Sequence, residues 1–194
     1  MKHFLLFLFL LPTIAFGQTT AIPDANFEQV LIDLGYDDVI DGSVLTANIN
    51  TVTDLYVNGW QISDLTGIED FTALTSLMCA YNDLTSLDVS NNTALDALHC
   101  GGNQLTSLDV NGATALTGLN CSDNQLTSLD VSNNTALNWL YCWENQLTSL
   151  DVSINTALDE LACSDNQLSS LDVSNNTALD NLWCQNNHLT SLDV

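Results

Sequence analysis

The sequence predicts a β-dominated solenoid, an elongated domain of short parallel strands stacked coil upon coil, and three observations carry that prediction. The first is a unit that recurs every 21 residues, beginning at Leu74, Leu95, Leu116, Leu137, Leu158 and Leu179. A fixed period of this length marks repeats that bury their apolar faces against one another. The second is a cysteine at one phase of every unit: Cys79, Cys100, Cys121, Cys142, Cys163 and Cys184. The third is a pair of asparagine columns, Asn82, Asn103, Asn124, Asn145, Asn166 and Asn187 in one, and Asn92, Asn134, Asn155 and Asn176 in the other, interrupted at Ala113. Asparagines repeated in phase are expected to bond the backbone inside successive turns and satisfy buried amides.

Residues 1–17 are expected to be a cleaved signal peptide. Lys2 and His3 precede an apolar run from Phe4 to Leu11, and Ala15-Phe16-Gly17 places small residues at the two positions that define a cleavage site. The run is too short for a transmembrane helix, and no later stretch approaches the ~18 uninterrupted apolar residues that one needs. No cysteine follows the cleavage site, so no N-terminal lipid anchor is expected. The expected location is secreted or at a bacterial cell surface.

Charge narrows the partners. The formal net charge is −23, with Lys2 as the single basic residue of the Lys/Arg class, so a mature chain that loses Lys2 carries −23 − 1 = −24. Such a surface repels phosphate backbones and anionic lipid, which excludes nucleic-acid and membrane-surface roles and favours cations or basic partners.

Six cysteines in an exported chain ordinarily suggest disulfides. Here their phase argues otherwise. In-register parallel strands lie ~4.8 Å apart with side chains pointing the same way, whereas a disulfide needs Cβ atoms ~3.8 Å apart and facing each other. Buried free thiols acting as small apolar residues are expected. A thiolate metal site would need paired spacing that is absent.

Taken in order, residues 18–51 read as an N-terminal cap. Pro23 and Asp24 supply a helix start, Phe27, Val30, Leu31 and Leu34 an apolar face, and Gly35 a stop. This amphipathic helix is expected to cover the apolar end of the first coil. Asp37-Asp38-Val39-Ile40-Asp41-Gly42 invites a calcium-loop reading, but Val39 and Asn48 stand where ligands belong, so a polar turn is expected. Residues 52–73 form an irregular first coil with Val52, Leu55, Val57, Trp60, Ile62, Leu65 and Ile68 as its apolar positions.

The text of that coil, Gln61-Ile62-Ser63-Asp64-Leu65-Thr66-Gly67-Ile68, resembles the 22-residue repeat of internalin-type leucine-rich repeat proteins, and the preceding helix resembles their helical cap. In residues 74–194, Leu95, Leu98, Cys100 and Asn103 fit the leucine-rich template, and so do Leu126, Leu129, Val131 and Asn134 in the other half of a unit. Each coil is therefore expected to nest two short parallel strands, near Leu98–Cys100 and near Leu108–Val110, with little helix. The fold class is a leucine-rich repeat solenoid, closest to the irregular, doubly nested bacterial type. The last unit stops at Val194, part way through its second half, which suggests a fragment or a truncated gene product.

Comparison among units separates two faces. Outward residues of the second strand hardly change, giving the column Asp88, Asp109, Asp130, Asp151, Asp172 and Asp193. Carboxylates ~4.8 Å apart repel by about 0.9 kcal/mol per pair in water. Such a row is expected to be solvated with help from flanking serines, with loose Ca²⁺ binding or raised pKa values as the alternatives. No other cofactor is expected. Outward residues of the first strand differ in every unit, and one unit carries Trp139, Tyr141 and Trp143. Adjacent outward aromatics form an apolar platform of the kind found at interfaces. Trp183 shares the Tyr141 column, Glu160 is expected to flank Trp139, His99 lies on the same face, and Asp123, Glu144 and Asp165 border it. The candidate ligand-binding residues are thus Trp139, Tyr141, Trp143, Glu160, Trp183 and His99.

Catalytic signals are poor. His99 and His188 lie in different columns, and no Ser-His-Asp grouping converges. Ubiquitous carboxylates have no diagnostic weight for glycosidase chemistry. A non-enzymatic binding module for an extracellular protein or glycan is the leading expectation, ahead of a structural spacer displaying other domains and a polysaccharide-acting enzyme. The sequence specifies neither ligand nor oligomeric state.

Overall fold

The computed structural model describes residues 17–194. The expected signal peptide, apart from Gly17, lies outside them. The chain opens with strand β1 (Thr19–Ala21), helix α1 (Ala25–Asp33), strand β2 (Ser43–Leu45) and helix α2 (Thr46–Ile49), with β1 and β2 antiparallel. The first coil adds β3 (Asp54–Tyr56) and a 3-10 turn at Ile68–Asp70.

Helix α1 forms where expected because both ends are satisfied. Asp24 is its N-cap and accepts the backbone N–H groups of Asn26 at 2.9 Å and Phe27 at 3.0 Å. Its other oxygen accepts Ser63 N–H at 2.8 Å, Ser63 Oγ–H at 2.7 Å and Asp64 N–H at 3.1 Å, fastening the helix to the first coil. At the far end Gly35, at φ 81°, closes a Schellman motif in which Tyr36 N–H reaches Leu31 O and Gly35 N–H reaches Ile32 O. Phe27, Val30 and Leu31 are buried, with Phe27 stacked on Phe71. Leu34 departs from the expected apolar face. As the C-cap it turns away from the coil and is 46% exposed.

The turn after α1 explains itself through Glu28. That side chain is buried, and its Oε1 accepts N–H from Asp41, Gly42 and Ser43 at 2.9, 2.7 and 3.0 Å. Donors converging on a carboxylate make the turn an anion nest, the opposite polarity from a calcium loop.

Seven strands build the principal sheet in the order β3, β4 (Ser76–Met78), β6 (Ala97–His99), β8 (Gly118–Asn120), β9 (Trp139–Tyr141), β10 (Glu160–Ala162) and β12 (Asn181–Trp183). All neighbours are parallel, with Asp54 opposite Ser76 and thereafter a shift of one repeat at each step. The other side of the coils is less regular than the sequence predicts. Strands β5 (Ser86–Asp88) and β7 (Ser107–Asp109) pair, as do β11 (Ser170–Asp172) and β13 (Ser191–Asp193), while the equivalent segments near Leu129 and Leu150 form no strand. In paired and unpaired segments alike, Asp88, Asp109, Asp130, Asp151 and Asp172 each accept the N–H two residues on.

Between the two sides lies one continuous core of leucine, valine and cysteine columns. Trp60 stays outside it, 40% exposed. All six cysteines are free thiols, buried except for the half-buried Cys184. Burial pushes Cys79 and Cys121 up to about 12, and burial with help from neighbouring thiols raises Cys100 and Cys142 well above the usual thiol range.

The two asparagine columns differ energetically. In the first, each Nδ2 donates to two or three carbonyls and each Oδ1 also accepts a backbone N–H. Asn145, for example, donates to Cys121 O, Cys142 O and Trp143 O at 3.1, 3.2 and 3.3 Å and accepts Leu126 N–H at 2.9 Å. In the second, Asn155 donates to Val131 O and Asn134 O, but its buried Oδ1 has no protein partner, and the same holds at Asn92, Asn134 and Asn176. Ala113 omits one rung without breaking the column, because Asn134 bonds the backbone carbonyl of Ala113.

Removing Asn145 should therefore cost more than removing Asn155. Asn145→Ala strands the Leu126 N–H, while Cys121 O, Cys142 O and Trp143 O keep Asn124, Asn166 and Asp123 as donors, a loss of about 2 kcal/mol, and Asn155→Ala, which strands no backbone group, should lower the thermal midpoint by about half as much. Equal midpoints would show that the fully bonded column has no special weight. The thiols give a second test. They stay neutral in the fold but ionise near the ordinary 9.0 when unfolded, so their stabilisation is complete below 9.0 and is lost as pH rises through about 12. Alkaline titration should unfold the protein in that window. At pH 8 a disulfide reagent should label Cys184 first and the five buried thiols only on unfolding.

Candidate ligand-binding face

The outward side chains of the principal sheet form columns fixed by strand register. The last residue of each strand gives the central column: Tyr56, Met78, His99, Asn120, Tyr141, Ala162 and Trp183. Asp54, Ser76, Ala97, Gly118, Trp139, Glu160 and Asn181 stand beside it.

All six candidate residues meet through direct contacts or a shared depression. Trp139 lies over Gly118, so closely that a Cβ at that glycine would come within 2.0 Å of the indole. The glycine thus lets the ring lean toward the preceding coils. There the Trp139 ring meets His99, with centroids 5.2 Å apart at 46°, and it also packs on Tyr141 at 5.3 Å and 39°. Burial holds His99 below its usual titration range, so the imidazole in this stack is neutral at pH 7. Glu160 is opposite Trp139 in register, yet its carboxylate takes the phenol proton donor of Tyr141. This bond raises the Tyr141 pKa, with desolvation a smaller cause.

The platform faces outward, as expected, and is half-buried. The rings cover one another and the glycine backbone. Trp183, 41% exposed, stands apart from this stack but joins it across a depression of about 340 Å³ lined by Tyr141, Trp143, Ala162, Ser164, Trp183 and Gln185. On the other side of Trp143 a second depression, about 210 Å³, is lined by polar and small residues that include Asn58, His99, Asn120, Ser122 and Asp123.

Tyr81 is the residue that the pattern of strand triplets missed. It is 74% exposed and lines the second depression. Its ring covers Gly102, where an added Cβ would lie 2.6 Å from Tyr81 Cδ1. Tyr81 occupies a turn phase held elsewhere by Gly102, Asp123, Glu144, Asp165 and Asn186, all at positive φ. A comparison of turn positions across units would have singled it out as the aromatic member of that set.

The aspartate column faces away from this site. Asp130, Asp151 and Asp172 have lowered pKa values, because the serine hydroxyl two residues on, followed by its N–H, stabilises the charged form. The neighbouring carboxylate opposes this at Asp130 and Asp172 and loses. The direction is opposite to the raised values that repulsion alone suggests. Among the described residues no three His, Cys, Asp or Glu side chains are grouped to hold a metal ion.

No family model matches the chain. Internalin J of Listeria monocytogenes serotype 4b (strain F2365) is 43% identical over 84 residues, which span 41% of this chain and 9% of that protein. A solved structure of the functional domain of InlJ from Listeria monocytogenes, described as including a cysteine ladder, is 38% identical with a TM-score of 0.69. The match covers 93% of this chain and 46% of that domain, so the chain spans less than half of its length. The structure of internalin C2 from the same species superposes with a TM-score of 0.79 over 93% of this chain and 88% of that one, and at 22% identity it shows the shared fold. The parallel register, the cysteine column and these likenesses make the chain an internalin-like leucine-rich repeat protein.

Proposed function

We propose that this chain is a non-enzymatic binding module, secreted or displayed at a bacterial surface, that recognises an extracellular protein or glycan through the first-strand face. The observation that carries the reading is the gathering of Tyr141, Trp143 and Trp183 around one depression, with Trp139 packed on Tyr141, on the sheet face whose residues vary from unit to unit. Buried aromatic anchors inside a shallow concavity are the usual source of binding energy at protein surfaces. The relatives are internalins, surface or secreted proteins of the leucine-rich repeat class, which supports binding over chemistry. No helix of the described residues is long and apolar enough to cross a membrane. The uniform aspartate face favours a second reading, a spacer that holds other domains apart.

Two experiments separate these readings. On an array of extracellular proteins and glycans, replacing Trp139, Tyr141 and Trp143 together by alanine should abolish wild-type binding. Unchanged binding would leave only the spacer. Gly118→Ala should act more gently. Its methyl group displaces the Trp139 indole, so tryptophan emission should shift to the red and array binding should weaken, with a stability change of less than about 1 kcal/mol. A variant indistinguishable from wild type in both would remove the glycine saddle from the site.

A further inference from the structure

The depression between Tyr141 and Trp183 has a more specific shape than an aromatic patch. Every other position of the central column from Tyr56 to Trp183 carries a side chain larger than a methyl group, and Ala162 alone does not. Ser164 follows it on the same face, so the fifth regular unit contributes a low floor. Tyr141 and Trp143 stand on one side of that floor, and Trp183 and Gln185 on the other. The walls are two strand spacings apart, about 9.6 Å. A flat group sandwiched between rings occupies about 7–8 Å at van der Waals contact. The slot therefore admits one planar group and not two.

The chemistry of that group follows from the surroundings. Residues 17–194 contain no Lys and no Arg, so nothing in the slot or its rim can pair with an anion. Glu144 and Asp165 follow Trp143 and Ser164 in the turn at the strand exits, and the Tyr141 phenol is hydrogen-bonded to Glu160. Donation to a carboxylate enriches the Tyr141 ring in electron density, which strengthens its face toward a cation. Polar anchors inside the slot are few, Ser164 and Gln185, whereas a sugar ring presents several hydroxyls that need partners.

We propose that the slot walled by Tyr141, Trp143 and Trp183 is the pocket for an arginine side chain of an extracellular protein partner. A guanidinium is planar, weakly hydrated and always charged, and it stacks on aromatic faces. The inference rests on the reading of the first-strand face as a binding surface and names the residue type that this face captures. The net charge of −23 would draw a basic segment toward the face, and the slot would fix where one of its arginines seats.

The test uses the full chain, ¹⁵N-labelled, with N-acetyl-arginine amide as the probe and its neutral isostere N-acetyl-citrulline amide as the control. The four tryptophans give separate indole N–H signals, and Trp60 serves as an internal reference outside the slot. Arginine should move the Trp143 and Trp183 signals with Trp60 unmoved, and citrulline should bind about fivefold or more weakly. Filling the floor with Ala162→Phe, or removing one wall with Trp183→Ala, should abolish the shifts while leaving net charge unchanged. The second variant alters a part-exposed side chain, so loss of fold cannot mimic the result in both. Shifts that persist in both variants, or that extend equally to Trp60, would mean diffuse attraction to an acidic surface and overturn the proposal. Equal binding of citrulline would overturn it too, as would shifts produced by maltotetraose but not by arginine. The wider reading is separable. An array ligand lost by the triple alanine variant but kept by Ala162→Phe would preserve the binding face and remove the arginine slot.

Discussion

Each regular coil of this molecule makes one of its turns at an asparagine whose side chain is fully engaged. Asn103, Asn124, Asn145 and Asn166 each donate to the cysteine carbonyl three residues back and to the one in the coil before, and each accepts a leucine N–H from that preceding coil. The residue just before each takes positive φ. A turn with buried amides would otherwise be costly. With it satisfied, the chain returns at the same height and phase each time, and the strand register follows. Register in turn stacks leucine on leucine and thiol on thiol, and it sets the outward columns from which the site is assembled.

This division of labour explains why the surface can vary without disturbing the fold. Inward positions are held by columns that repeat, so a substitution there is felt by two neighbours. Outward positions of the principal sheet are held only by backbone pairing. Trp139, Glu160 and Asn181 occupy one column in successive units, with the same register around each. The opposite side of the coils has less backbone pairing, and its uniform Asp-Ser text ties each carboxylate to the local chain.

Much of this was legible because periodic text reports directly on periodic structure. The leucine and cysteine columns, the cap at Asp24 and Gly35 and the outward phase of Trp139, Tyr141 and Trp143 all follow from spacing and local chemistry. What was not legible depended on single contacts across units. Leu34 fits a helical face, yet the Schellman turn carries it into solvent. Trp60 reads as an apolar position of an irregular coil that has no sibling for comparison. Strands β1 and β2 are three residues each and pair beside a turn that Glu28 holds through three backbone N–H groups. The half-burial of the aromatic rings required knowing that Gly118, in one unit, lies beneath a tryptophan in the next.

That last feature bears on how such a surface can arise. Proteins built from tandem copies are commonly pictured as gaining function by duplicating or exchanging one repeat at a time. Here the stretch from Leu137 to Ala157 contains Trp139, Tyr141 and Trp143, but the saddle that seats Trp139 belongs to the unit before it and the floor at Ala162 to the unit after. Copying the middle unit alone would transplant three rings without the ground on which they rest. The structural unit of this surface is therefore a run of consecutive repeats in fixed order, and its boundaries fall across the visible period of the sequence.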